Sequence, residues 1–198
     1  MAQKADSMYY RKRAKNYVPV TQQQKQVMTE LAFLHLFLAW EDFLEQSFIR
    51  YMCGATTSVG YSPKRFISPT ALSHALQIVQ TRNRSYADWT DIDEVMNLAR
   101  LYFANGDPYD SALRPMLVDF KHMNTIRNSI AHRSGTSQTK LRDTTRGLVG
   151  YLPRKLTAGV LLMTLVPTEN ITFLEKYCHL VRVAAQRIIR STSANPLL

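Results

Sequence analysis

The stretch TQQQKQVMTELAFLHLFLAWEDFLEQSFIRYMC, residues 21–53, decides the fold. It reads as one long helix closed by Gly54. Between Leu31 and Phe43 it is apolar nearly all round, so it should be buried on more than one side. That suits a central bundle helix or a helix at a dimer interface. Glu41 is the odd residue. On a helical wheel it falls in line with Leu34 and close to Phe37 and Leu38. A buried carboxylate is costly unless it is paired. Glu41 therefore either pairs with a cation or orients a partner across the bundle, or it lies at the edge of the stripe in water. Asp42 is the second choice for an acidic partner.

Working outward, residues 1–20 read as a flexible basic arm, with Lys4, Arg11, Lys12, Arg13 and Lys15 beside Tyr9, Tyr10 and Tyr17. Residues 54–69 read as a loop and 70–80 as a short helix. The polar connector 81–89 mixes Arg82 and Arg84 with Tyr86 and Trp89, a composition that suits RNA. Thr90 is placed to cap a helix running through Phe103, with Asp91, Asp93 and Glu94 in its first turn. Asn105-Gly106-Asp107-Pro108 is a break. A helix from about Tyr109 adjusts at Pro115 and leads into the segment 116–132.

In that segment Met116, Leu117, Phe120, Met123, Asn124, Ile126, Ile130 and Ala131 recur at three- and four-residue spacings, and Gly135 is a stop signal. Its end reads RNSIAH, Arg127 to His132. Asn128 and His132 are four apart and share a face, while Arg127 lies about 140° round from His132 at 100° per residue. A long Arg can sweep back toward the same cleft. A His serves as general base or acid near neutral pH. A guanidinium holds two phosphate oxygens and stabilises charge building on phosphorus. RNA supplies its own nucleophile, the 2′-hydroxyl, so this set needs neither metal nor cofactor to cut it.

Residues 134–168 read as an insertion. Its first part is polar, with Arg133 before it and Lys140, Arg142, Arg146, Arg154 and Lys155 within it, a basic loop placed to clamp RNA beside His132. Val160–Val166 reads as a short strand or buried extended segment. Residues 170–191 read as the last helix, with Leu174, Tyr177, Cys178, Val181, Val183, Ala184 and Ile188 on its apolar stripe. Residues 192–198 read as a frayed tail. The expectation is an all-α bundle of about five helices, one domain over 21–191.

The RNSIAH segment, together with the long apolar helix and its AWEDFLEQ stretch, resembles the HEPN superfamily from about Thr21 to Arg190. The branch it is most similar to is the RiboL-PSP type. The resemblance implies a small α-helical, metal-independent endoribonuclease, a homodimer whose two motif helices build one composite site at the two-fold axis. It implies Arg127, Asn128 and His132 as active-site residues, with an acidic residue from the first helix, Glu41, Asp42 or Glu45. It also implies a place in toxin–antitoxin, abortive-infection or other anti-phage systems, with an antitoxin or larger defence complex as partner. Some members carry a Tyr two residues after the His, which a partner nucleotidyltransferase modifies. Ser134 stands there in this chain, so that mode of control is not supported.

Composition narrows the classes. The chain has 198 residues, long enough for a single-domain core, and its 7 glycines favour helices over a turn-rich β fold. Its net charge of +10 and pI near 9.8 point to a polyanionic partner, with an acidic protein as the alternative. There is no hydrophobic leader at the start and no membrane-length apolar run, so the expected setting is cytoplasmic. Cys53 and Cys178 lack metal or redox spacing and read as buried thiols, and the five His have no ligand spacing. A second class remains open, a non-catalytic RNA- or nucleotide-binding or assembly subunit. A DNA-binding regulator ranks last, because no recognition-helix pattern is present and the basic residues fall in expected loops.

Overall fold

A computed structural model describes residues 10–13, 16–80, 88–132 and 134–192. The fold is an all-α bundle around one long helix. Strands β1 (Tyr10–Arg13) and β2 (Asn16–Pro19) pair antiparallel, Tyr10 opposite Pro19 and Arg13 opposite Asn16, so a hairpin occupies part of the expected arm. The helices follow as α1 (Gln22–Met52), α2 (Leu72–Gln80), α3 (Ile92–Tyr102) and α4 (Tyr109–Leu113). Then come α5 (Leu117–Ala131), α6 (Gly135–Val149), α7 (Ala158–Met163) and α8 (Phe173–Ile189). Among the described residues no helix is long and apolar enough to cross a membrane.

Helix α1 starts at a capping box. The Thr21 hydroxyl accepts from the Gln24 N–H while the Gln24 side chain accepts from the Thr21 N–H. Phe33, Phe37, Trp40, Leu44 and Phe48 form its buried stripe, and α2, α5, α7 and α8 pack around it. The Trp40 ring is stacked between Phe43 and Phe120, with centroids 5.6 and 5.0 Å away. Burial is one-sided: Val27, Met28, Leu31 and Leu38 are about half exposed. An apolar stripe therefore runs along α1 in line with Leu34 and Glu41, uncovered in the single chain.

Helix α7 crosses α1 at Gly159. A Cβ there would lie 2.7 Å from the Gln26 carbonyl oxygen, so only glycine allows this approach. The Gly159 N–H donates to Glu30 Oε1 at 2.8 Å and fixes the crossing. Helix α8 opens with a second capping box, Thr172 and Glu175. Its buried residues are Phe173, Tyr177, Leu180, Ala184 and Ile188, while Lys176 and Asp119 tie it to α5 at 2.8 Å.

The expected loop and extended insertion over 134–168 is instead largely helical, α6 and α7. The reason is capping: Ser134 accepts from the Ser137 N–H and Thr157 from the Val160 N–H. Val160 to Met163 continues as helix, and extended pairing follows only at the isolated Leu165–Thr172 bridge among the described residues. Gly135, expected as a stop, opens α6; helix α5 ends at His132. Helix α3 is capped by Asp91 rather than Thr90, whose own N–H and hydroxyl are held by Asp88. Both cysteines are free, and Cys178 is exposed where a buried thiol was expected, its place on the buried stripe taken by Leu180.

Candidate functional site

The site is built at the junction between α5 and α6. One polar stripe runs up α5 through Lys121, Asn124 and Asn128 to His132, steps of three and four residues that keep one face, with Thr125 beside it. Asn128 is fixed twice. Its Nδ2 donates to Asn124 Oδ1 at 2.9 Å, and its Oδ1 accepts from Arg127 Nη1 at 3.1 Å. The His132 N–H still donates to the Asn128 carbonyl at 2.8 Å, but its own backbone is extended, φ −127° and ψ 99°. His132 thus leaves the helix and stands exposed, and Ser134 starts the next one.

A cavity of about 510 Å³ opens there. Asn124, Asn128, His132, Thr136, Ser137 and Lys140 line it, with Asp91, Asp93, Lys121 and Thr125. Lys121 is tied to Asp93 at 2.7 Å, whereas Lys140 forms no ion pair among the described residues. The first turn of α6 borders the same space. Ser137 gives its N–H to the Ser134 hydroxyl, and the N–H groups of Gly135 and Thr136, in a helix's first turn, have no intrahelical acceptor. A helix N-terminus with a cation one turn further along favours an anion over a cation.

Arg127 stands beside this cavity, its guanidinium on Asn128. It is half-buried, does not line this cavity, and acts on Glu41. Burial pushes the Glu41 carboxyl above the usual carboxylate range; the Arg127 charge pulls it back and Asp88 adds to the rise. Glu41 Oε1 is buried without a hydrogen-bond partner among the described residues, so it is not a carboxylate at rest in water. Asp42 is exposed and Glu45 accepts from the Trp89 indole at 2.8 Å, which leaves Glu41 as the acidic residue beside Arg127. The structure therefore brings Asn128 to both His132 and Arg127 but does not bring Arg127 and His132 into one cleft of a single chain.

The other expected RNA-binding residues divide. Lys140 is on the cavity. Arg142 and Arg146 are exposed on the opposite side of α6, about 200° and 240° round from Lys140 at 100° per residue. Arg82, Arg84 and Arg133 lie outside the described residues, as do 1–9, 14–15 and 193–198. Lys121, Thr136 and Ser137 were not singled out from sequence, and Asn124 was read only as part of the helical pattern. The signal for them was the spacing of polar residues at four, eight and eleven before His132, and the serine capping a second helix.

No known protein family, curated protein or solved structure matches this chain. The fold and the site geometry stand on their own.

Proposed function

We propose that the chain is a metal-independent endoribonuclease that works as a homodimer. The observation that carries this reading is the shared cavity of His132, Asn128, Lys140 and the α6 N-terminus. A phosphate seated on the free N–H groups and Lys140 lies beside His132. His132 takes the proton of the adjacent 2′-hydroxyl, the oxygen attacks phosphorus, and the 5′-oxygen leaves with a proton. The products are a 2′,3′-cyclic phosphate and a 5′-hydroxyl. The uncovered residues Val27, Leu31 and Leu38 lead to Glu41 and so to Arg127. A second copy packed on that stripe supplies another Arg127 and another His132, the second serving as the acid for the leaving oxygen, because a two-fold interface presents the same patch twice.

A second reading, a non-catalytic RNA-binding or assembly subunit, is favoured by the position of Arg127 outside the His132 cavity. His132→Ala separates the two. Wild type and variant are incubated with total RNA in EDTA, and products are sized and their ends identified. The nuclease reading expects cleavage to fall about 10²- to 10⁴-fold in the variant. The melting temperature should hold, since the ring is exposed. Products with 5′-phosphates, a strict metal requirement or equal cleavage by both proteins would overturn it. A role as a toxin or defence effector, with an antitoxin or complex as partner, adds growth arrest when the chain is expressed alone.

A further inference from the structure

A second cavity, about 870 Å³, lies on the other side of the α5–α6 junction. The two share a wall. Asn128 and Ser137 border the His132 cavity, and their chain neighbours Ser129 and Gln138 border this one. Gln138 Nε2 donates to the Ser129 carbonyl at 3.4 Å across that wall. The floor is the first turns of α1, carrying Gln22, Gln23 and Gln26, whose side chains make no hydrogen bond among the described residues. The rim is the segment before α7, where Arg154 and Lys155 stand exposed and form no ion pair among the described residues. Lys155 is held at φ 53°, a left-handed conformation that a lysine rarely adopts. Glu30 is the one carboxylate in the lining among the described residues, and one of its oxygens is occupied by the Gly159 N–H.

We propose that this groove is a single-stranded RNA subsite, holding the nucleotides next to the phosphate that His132 attacks. The inference rests on the nuclease reading of the His132 cavity. Two cations at the rim fit backbone phosphates. Glu30 keeps those phosphates away from the floor. Three uncommitted amides each offer a donor beside an acceptor, the pattern that matches the edge of an unpaired base. Among the described residues the groove is lined by amides and cations, so hydrogen bonding to base edges is the contact they offer. The groove therefore selects bases, and a duplex, whose edges are paired, is excluded.

The test measures binding of a fluorescent single-stranded RNA to the full chain carrying His132→Ala, by anisotropy across a salt series. Arg154→Gln with Lys155→Asn removes two phosphate contacts, asparagine being tolerant of the left-handed backbone. The slope of log affinity against log salt should become shallower by about 1.4, at about 0.7 per single-strand phosphate. Gln22→Ala with Gln26→Ala should weaken binding at unchanged slope, and in the chain with His132 intact it should shift which positions are cut. An unchanged slope with an unchanged cutting pattern overturns the groove while leaving the nuclease reading standing. A shallower slope with no cleavage by wild type overturns the nuclease reading and keeps the groove as an RNA surface. Equal affinity for a matching duplex overturns the single-strand assignment.

Discussion

Replacing Glu41 by Gln should make the protein more stable. Two effects compete at this carboxylate. Burial disfavours its charge, and Arg127 favours it. Burial is the larger, because the carboxyl sits above its usual range despite the Arg. Gln keeps the unpartnered oxygen but carries no charge, so it relieves the cost of burying the charge, roughly 0.5–1.5 kcal/mol for a group that is only half-buried. For a chain of this size that is a rise in Tm of about 1–6 °C. The pH dependence gives the sign. The folded state holds the Glu41 proton more tightly than the unfolded state, so wild type loses stability as pH rises through the folded pKa. Below the ordinary carboxylate value, about 4.3, both states are protonated and the penalty vanishes. Melting both proteins at pH 7 and at pH 4 should show the gap open at the first and closed at the second. A variant less stable than wild type at pH 7, or a gap indifferent to pH, would refute the reasoning. Cleavage read in parallel separates roles: a more stable variant that no longer cuts RNA marks Glu41 as held for function at a cost in stability.

Gly159→Ala should lower stability, because its methyl group meets the Gln26 carbonyl at 2.7 Å and forces α7 off α1. Overpacking of that kind costs about 1–3 kcal/mol, and the roughly 1 kcal/mol gained in helix propensity offsets only part of it. Thermal melting checks this, and an unchanged or higher Tm would mean the helices separate freely. Leu38→Glu should leave the fold intact, since Leu38 is 55% exposed, yet abolish the dimer in sedimentation and reduce cleavage with it. A dimer that survives the charge would remove α1 from the interface.

Helix α1 was legible because its pattern is long, strongly apolar and closed by Gly54, so packing and periodicity agree. The turn at Asn105–Pro108 and helix α5 were legible for similar reasons of local chemistry. Helix α6 was not. Its buried stripe includes Leu141 and Thr145, and Thr145 hides in the core by returning its hydroxyl to the Leu141 carbonyl at 2.7 Å. A polar residue on a buried position erases the apolar period, and only the Ser134 cap betrays the helix. Helix α7 was misread because a short apolar run has no period of its own; its helical state is set by the Thr157 cap and the contact at Gly159. The site was legible in its members but not in its arrangement. The spacing of Arg127 and His132 allowed one cleft, whereas Arg127 is held on Asn128, outside the lining of the cavity that His132 borders.

That division has an electrostatic logic. His132 caps the C-terminal end of α5, where the last carbonyls are negative, and Ser134 caps the N-terminal end of α6, where the first N–H groups are positive. On the proposed mechanism, attack on RNA creates two charges at once, a proton on His132 and an added negative charge on the phosphate. The junction presents a negative pole to the first and a positive pole to the second, within three residues of chain. A loop at 133–140 would supply basic side chains but no oriented backbone. A helix starting at Gly135 supplies both, with Lys140 on the cavity side of its second turn. The reversal from loop to helix therefore strengthens the chemical case for this site, because the stabilising groups are fixed by the fold before any substrate arrives.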